Sequence, residues 1–436
     1  MQVVGIIIVF LSVIDIRKAD TSNHSTALDT RTTRASNESC EEHVYIFMNP
    51  GSGGGKGAEL LSAGIRGMRL SLGESHVVLS VYDLRYGESG KKPGFLDISK
   101  LVNDNSCIDS EHPVRIIAAG GDGTVVWAMS ESVQYGIDIT KVVFGTIPFG
   151  TGNDFAFVYG WGSDPPKHLL KHQFKELKKL LLQWLSADLV PHDLWNVRIH
   201  IDPARGRILQ YSGSLLRRIP LAGTDGTLEK MMGNYFSLGA ESRIGFDFDR
   251  SRTKRRALNK AVYAWMGSKR LVSRESNVGE YMEMCSDGGD ILFTTNENEK
   301  SGRSLIGTPS SLIFLNINSF AAGLDLWASA SKVGVRNPKR SVFDPQDSGD
   351  GKLEVMAYNS LLGIVVERIR KGIGKGHRIG QSQGPFLLKF RDHGSLFRIY
   401  LQVDGEYYAA ERPESVEISH NMTMRVLRKH KELRLE

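Results

Sequence analysis

Cysteine is scarce in this 436-residue chain: Cys40, Cys107 and Cys285 are all it has. They lie far apart and form no CxxC pair, which excludes a zinc site or a dense disulfide framework as an organising device; at most one bridge is available. No excess of one charge sign exists either. Lys and Arg number 55 and Asp and Glu 49, for a net charge of +6, with a pI near 9.0. That bias suits an anionic ligand or a membrane surface and is too small to indicate nucleic acid as a partner. A long hydrophobic run is also missing. Val3 to Ile14 is twelve residues with Ser12 as its one polar member, short of the roughly 20 residues a bilayer span requires. Its length suits a signal peptide, with a short amphiphilic anchor as the alternative. Asn-x-Ser or Asn-x-Thr acceptors at Asn23, Asn37 and Asn421 suit a glycoprotein on a secretory route. Asp20 to Glu42 is polar and aperiodic, so residues 1–42 are expected to form a leader outside the fold.

The remainder is ordinary globular protein. Apolar residues make up 41% and charged residues 24% of the chain, enough hydrophobicity to offset chain entropy, and the length points to two or three domains. The departure from average is glycine, 46 against 14 prolines, about half again its usual share of roughly 7%.

Those glycines fall in a pattern. Val44 to Met48 is a strand-like run that breaks at Asn49-Pro50 into Gly51-Ser52-Gly53-Gly54-Gly55-Lys56-Gly57, after which Ala58-Glu59-Leu60-Leu61 turns helical. Val114 to Ala119 leads into Gly120-Gly121-Asp122-Gly123-Thr124 and another helical stretch, and Val142 to Pro148 runs into Phe149-Gly150-Thr151-Gly152-Asn153-Asp154. Strand, glycine loop and helix present backbone N–H groups and a positive helix end to phosphate. Lys56 comes one place too early for a Walker A loop and Gly57 replaces its hydroxyl residue; a GxGxxA match from Gly53 to Ala58 lacks a compelling acidic partner on the next strand. Three such units within about 110 residues indicate a phosphate-binding α/β domain.

The three loops resemble the signatures of lipid kinases of the diacylglycerol kinase family. Asp193-Leu194-Trp195-Asn196-Val197, Met232 to Gly239, Ile313 to Ser319, Gly323 to Trp327 and the late Val403-Asp404-Gly405-Glu406 are similar to its accessory part, eukaryotic type. The resemblance implies an N-terminal three-layer α/β nucleotide-binding domain over 43–190, a mainly β, sandwich-like second domain over 191–425 with the active site in the cleft between them, and a basic tail over 426–436. It implies ATP and Mg²⁺ as cofactors and diacylglycerol in a membrane surface as substrate, phosphorylated to phosphatidic acid. Asn49, Gly51, Ser52, Gly53 and Gly54, then Gly120, Gly121, Asp122, Gly123 and Thr124, then Thr151, Gly152 and Asn153 are expected to hold the nucleotide, with Glu406. Asp404 is the favoured proton acceptor and Asp122 the organiser of metal and phosphates, roles that sphingosine-kinase-like reasoning would swap. Asp347 and Asp350 resemble a metal site. No zinc-finger region or EF-hand loop precedes the catalytic part.

Two further stretches stand out. Lys167 to Ser186 carries Leu169, Leu170, Phe174, Leu177, Leu181 and Trp184 at helical spacing, a core-packing pattern. Arg250 to Arg274 holds nine Lys or Arg and no Asp or Glu, and suits either anionic lipid or a solvated helix. NAD kinases and phosphofructokinases share the Gly-Gly-Asp-Gly turn without the third loop and the closing Asp-Gly-Glu. A sphingosine or ceramide kinase, or a catalytically silent lipid-binding protein of the same fold, is the competing expectation.

Overall fold

The computed structural model describes residues 41–430 apart from 53–55, 151, 167, 222, 251–276, 297–301, 361–362, 365–366, 368–375 and 393–396. The expected leader with Asn23 and Asn37, the glycines Gly53 and Gly54, Thr151 and the basic stretch beyond Arg250 therefore lie outside the described residues. Five strands and five helices build the first half: β1 (Glu42–Met48), α1 (Lys56–Ser62), β2 (Met68–Leu72), β3 (Ser75–Asp83), α2 (Pro93–Asp104), β4 (Val114–Gly120), α3 (Asp122–Gln134), β5 (Val142–Pro148), α4 (Asp154–Val158) and α5 (Lys175–Leu185). Strands β3, β1, β4 and β5 lie side by side in parallel, and β2 adds an antiparallel edge.

A parallel sheet covered on both faces needs apolar residues at every position, which is why these strands read as unbroken hydrophobic runs. Tyr45 and Phe47 pack with Phe95 and Ile98 of α2 and Val125 and Met129 of α3. Val44, Ile46 and Met48 face the other way, onto Leu60 of α1 and Leu177, Leu181 and Trp184 of α5. The helical spacing around Lys167 to Ser186 is thus a core face, although only its second half is helix.

The second half contains β6 (Asp188–Ile201), β7 (Arg207–Ser212), β8 (Leu215–Arg218), β9 (Thr227–Met232), β10 (Tyr235–Gly239), α6 (Ala240–Asp249), β11 (Met282–Asp287), β12 (Asp290–Thr294), β13 (Ser311–Leu315), β14 (Lys332–Val333), β15 (Leu353–Tyr358), β16 (Gly376–Ser382), β17 (Phe386–Phe390), β18 (Arg398–Val403), β19 (Glu406–Glu411) and β20 (Pro413–Arg428). Two sheets face each other. One runs β14-β16-β15-β13-β10-β18-β19-β7-β8; the other holds β12, β11, β17, β20, β6 and β9 and continues through β20 into the parallel sheet. Trp195, Phe236, Phe293, Phe314, Phe386 and Tyr408 fill the space between them, a sandwich core of alternating inward residues.

The expected boundary at 425/426 falls inside β20, which is a correction to the reading of 426–436 as a tail. This sixteen-residue strand pairs with β6 from Pro413↔Ile201 to Arg428↔Asp188, and Val426 lies parallel to Phe144 of β5. Met424, Val426 and Leu427 are buried in the cores of the first half. Asn421, in the bulge between His420 and Met422 of this strand, is not in a loop. Cys107 is free and exposed, Cys285 free and buried. Among the described residues no helix is long and apolar enough to cross a membrane.

Glu241 and Glu354 are buried inside the second half. Burial pushes Glu354 up to about 8 and Glu241 up to about 7. Each binds its proton more tightly folded than unfolded, so each contributes stability that is full below the ordinary carboxylate range near 4.5 and is lost as pH rises towards the folded value. Glu354→Gln is therefore expected to flatten the fall in stability between about pH 4.5 and 8, measured by urea unfolding at a series of pH values.

Candidate active site

The three glycine loops leave adjacent strands, β1, β4 and β5, at their carboxyl ends, the edge where open α/β sheets take ligands. Backbone bonds fasten them together. Asn49 N–H donates to the Ala119 carbonyl at 3.0 Å, and Phe149 and Gly150 N–H donate to the Gly120 carbonyl at 2.9 and 3.0 Å. The second and third loops touch so closely that a Cβ on Gly150 would lie 2.4 Å from Gly121 Cα and 2.7 Å from Asn153 Oδ1. Only glycine allows backbones this near. A Cβ on Gly120 would meet Thr124 Oγ1 at 2.2 Å, so Thr124 is packed under the loop, while Gly123 stays exposed.

Asn49 shapes the first loop. Its Oδ1 accepts from Gly51 N–H at 3.1 Å and from Arg85 Nη2 at 3.1 Å, which brings a guanidinium to the loop with Gly51 and Ser52. Asn153 is engaged within the loop through its Nδ2, while its Oδ1 has no partner among the described residues. It is buried with φ of 55°, and its Nδ2 donates to the Gly150 carbonyl at 3.0 Å and the Ser163 carbonyl at 2.8 Å. It braces the loop from inside.

The carboxylates gather behind these loops. Asp122 opens α3, and its oxygens accept the first N–H groups of α4: Oδ2 from Asp154 at 3.1 Å and Oδ1 from Phe155 at 2.8 Å. Burial and the nearby charge of Asp154 raise it to about 7; the two N–H donors oppose the rise, and Asp404 adds to it. Gly152 fits against this pair, since a Cβ there would be 3.4 Å from the Oδ2 of both Asp122 and Asp154. Asp154 is buried. Its Oδ1 accepts from Ser319 Oγ, from Ala322 N–H at 2.8 Å and from Gly323 N–H at 3.1 Å, and its Oδ2 from Tyr235 Oη at 3.1 Å.

Asp404 comes from the other half. With φ of 47° and Gly405 at 82°, it forms the two-residue hairpin between β18 and β19, the geometry Asp-Gly favours. Its Oδ2 accepts from Gly233 N–H at 2.7 Å and its Oδ1 from Asn234 and Tyr235 N–H at 2.8 and 2.9 Å. Burial raises it to about 6; these donors oppose the shift and Glu406 adds to it. Glu406 itself is ion-paired to Lys230 at 3.0 Å and bonded to Tyr408 Oη.

Asp347 and Asp350 are committed locally. Asp347 Oδ1 accepts from Gly349 N–H at 3.1 Å, Asp350 Oδ1 from Lys352 N–H at 3.0 Å, and Lys352 Nζ lies 3.2 Å from Asp350 Oδ2. Among the described residues no three His, Cys, Asp or Glu side chains are grouped to hold a metal ion.

Sequence reasoning gave no role to Asp154, Arg85, Tyr235 or Ser319. Asp154 was signalled by its place in the third glycine motif, and Tyr235 and Ser319 lie in stretches that carry the family resemblance; Arg85 follows β3 with no motif around it. Asp154→Ala strands four donors of the accessory half, and is expected to cost about 3 kcal/mol or more, read as a fall in urea midpoint; an unchanged midpoint would contradict these contacts.

The diacylglycerol kinase catalytic domain model matches residues 43–182 and the diacylglycerol kinase accessory domain model residues 231–407. Rat diacylglycerol kinase zeta is 27% identical over 372 residues, covering 83% of this chain and 33% of its own length. Human diacylglycerol kinase iota is 26% identical over 83% of this chain and 29% of its own. Diacylglycerol kinase 5 of Arabidopsis thaliana is 25% identical over 89% of this chain and 77% of its own. The chain thus spans about a third of the mammalian relatives. With catalytic and accessory models matched in tandem on the two halves that form the site, the chain belongs to the diacylglycerol kinase family.

Proposed function

We propose that this cleft transfers the terminal phosphoryl group of ATP to the free hydroxyl of diacylglycerol, giving phosphatidic acid and ADP. The observation that carries the reading is the pair Asp122 and Asp404. Two carboxyl groups, one from the glycine-loop half and one from the accessory half, are both raised towards neutrality, and the charge of Asp404 reaches Asp122. Perturbed carboxylates beside a phosphate cradle are what alcohol phosphorylation requires.

The chain's own groups divide the work. Backbone N–H groups of the glycine loops and the Arg85 guanidinium hold the phosphates. A magnesium ion, if brought with the nucleotide, would be held through the phosphates beside Asp122 and would supply charge neutralisation there. As the lipid hydroxyl oxygen bonds to phosphorus and the bond to the bridging oxygen of ADP breaks, the hydroxyl proton passes to a carboxylate. Asp122 suits that step better than Asp404, reversing the favoured sequence assignment. Each Asp122 oxygen accepts one N–H and keeps a lone pair, and its value near 7 matches the working pH. Asp404 takes three N–H groups in all, one on Oδ2 and two on Oδ1, so its part is chiefly to hold the turn against β10.

Turnover of diacylglycerol with ATP is expected to rise about tenfold per pH unit up to about pH 7 and then level off. Asp122→Asn is expected to lower kcat by about 100-fold or more and remove that limb, with some loss of thermal midpoint because its amide nitrogen faces one of the two N–H donors. Asp404→Asn is expected to lower the thermal midpoint as well, because its amide cannot accept all three N–H groups. An Asp122→Asn enzyme with wild-type rate and pH profile would reject Asp122 as acceptor.

A further inference from the structure

The hairpin of β7 and β8 sets its apolar residues on the outside. Ser212 pairs with Leu215 and the connection is Gly213-Ser214, with Gly213 at φ of 62°. β8 is the last strand of its sheet, bonded to β7 alone, and all four of its residues are exposed. Leu215 is 63% and Leu216 43% exposed. Immediately beyond, Ile219 and Leu221 turn inward and pack on the sandwich core. The chain thus partly buries two aliphatic residues at the base of this ribbon and leaves two in water at its tip.

Charge accompanies them. Arg217 and Arg218 follow the leucines and, like Arg207 on β7, have no ion-pair or hydrogen-bond partner for their side chains among the described residues. Successive strand residues point to opposite faces, so each face of the ribbon carries one leucine nearer the turn and one arginine behind it, about 7 Å back along the strand. Charges and a short edge strand guard against pairing, but neither accounts for two exposed leucines at the tip. Leucine at the tip with arginine behind matches a different boundary, in which apolar side chains enter acyl chains while cations stay level with anionic headgroups.

Position completes the argument. β7 pairs antiparallel with β19, Ala409 opposite Leu209 and Glu411 opposite Arg207. Extending that register brings the Gly213-Ser214 tip to the same end of the sheet as the Asp404-Gly405 turn. A surface that receives the tip also receives the end of the sheet where Asp404 stands.

We propose that the β7–β8 hairpin docks the enzyme on an anionic phospholipid bilayer, with Leu215 and Leu216 inserted and Arg217 and Arg218 on the headgroups. The link to catalysis rests on the lipid-kinase reading; the docking itself does not. It is separate from the stretch beyond Arg250, which lies outside the described residues.

Co-sedimentation of the full chain with phosphatidylcholine vesicles, with and without phosphatidylserine, tests it. The wild type is expected to bind the phosphatidylserine vesicles. Leu215→Ser with Leu216→Ser is expected to weaken that binding by about tenfold or more, and Arg217→Glu with Arg218→Glu to abolish the preference for phosphatidylserine. Thermal midpoints should stay at wild type, since all four side chains are exposed. Activity should fall on vesicle-embedded diacylglycerol and persist on detergent-dispersed diacylglycerol. Unchanged vesicle binding by both variants overturns the docking proposal whether or not the chain is a kinase, as does a dimer of the wild type that the leucine variant dissociates. Vesicle binding lost in both variants without any wild-type turnover upholds the docking and overturns the kinase reading instead.

Discussion

One buried carboxylate holds the two halves of the site in register. Asp154 belongs to the third glycine loop, yet its oxygens collect donors from Ser319, Ala322, Gly323 and Tyr235, all in the accessory half. Its own N–H, with that of Phe155, binds Asp122. Tyr235 passes the link on, donating its N–H to Asp404. A buried carboxylate is tolerated only when such donors surround it, so loop, accessory segment and both candidate catalytic aspartates are set by one group's need for hydrogen bonds.

The second tie is covalent and topological. β20 begins against β17 and β6 in the sandwich and ends beside β5 in the parallel sheet. β20 thereby extends the first sheet beside β5, and Trp161 Nε1 donates to the Leu427 carbonyl at 2.7 Å. The halves share one continuous sheet, and the Asp404 turn, which belongs to the other sheet, is tied to it through the Gly233 and Asn234 N–H groups that follow β9.

Much of this was legible in the residues. The glycine loops announce themselves because close backbone approach excludes other side chains, and Gly150 against Gly121 bears that out. Strands β13, β15, β17 and β18 follow from short β-branched and aromatic runs between turn residues. β20 was hidden by the stretch Ser419 to Thr423, none of it buried, which separates Val416 and Ile418 from Met424 and Val426, and by the basic residues Arg425, Arg428 and Lys429 that imitate a tail. Acceptor geometry was equally out of reach: the aspartates read alike in sequence, and only their N–H partners separate Asp122 from Asp404.

The central claim is that this cleft phosphorylates a diacylglycerol hydroxyl. Labelled ATP offered to the purified chain with diacylglycerol, sphingosine and ceramide in parallel, with the lipid products separated, tests it most directly. The account predicts label in phosphatidic acid well above the other two lipids. Label in sphingosine or ceramide phosphate instead, or nucleotide binding with no labelled lipid, would contradict it.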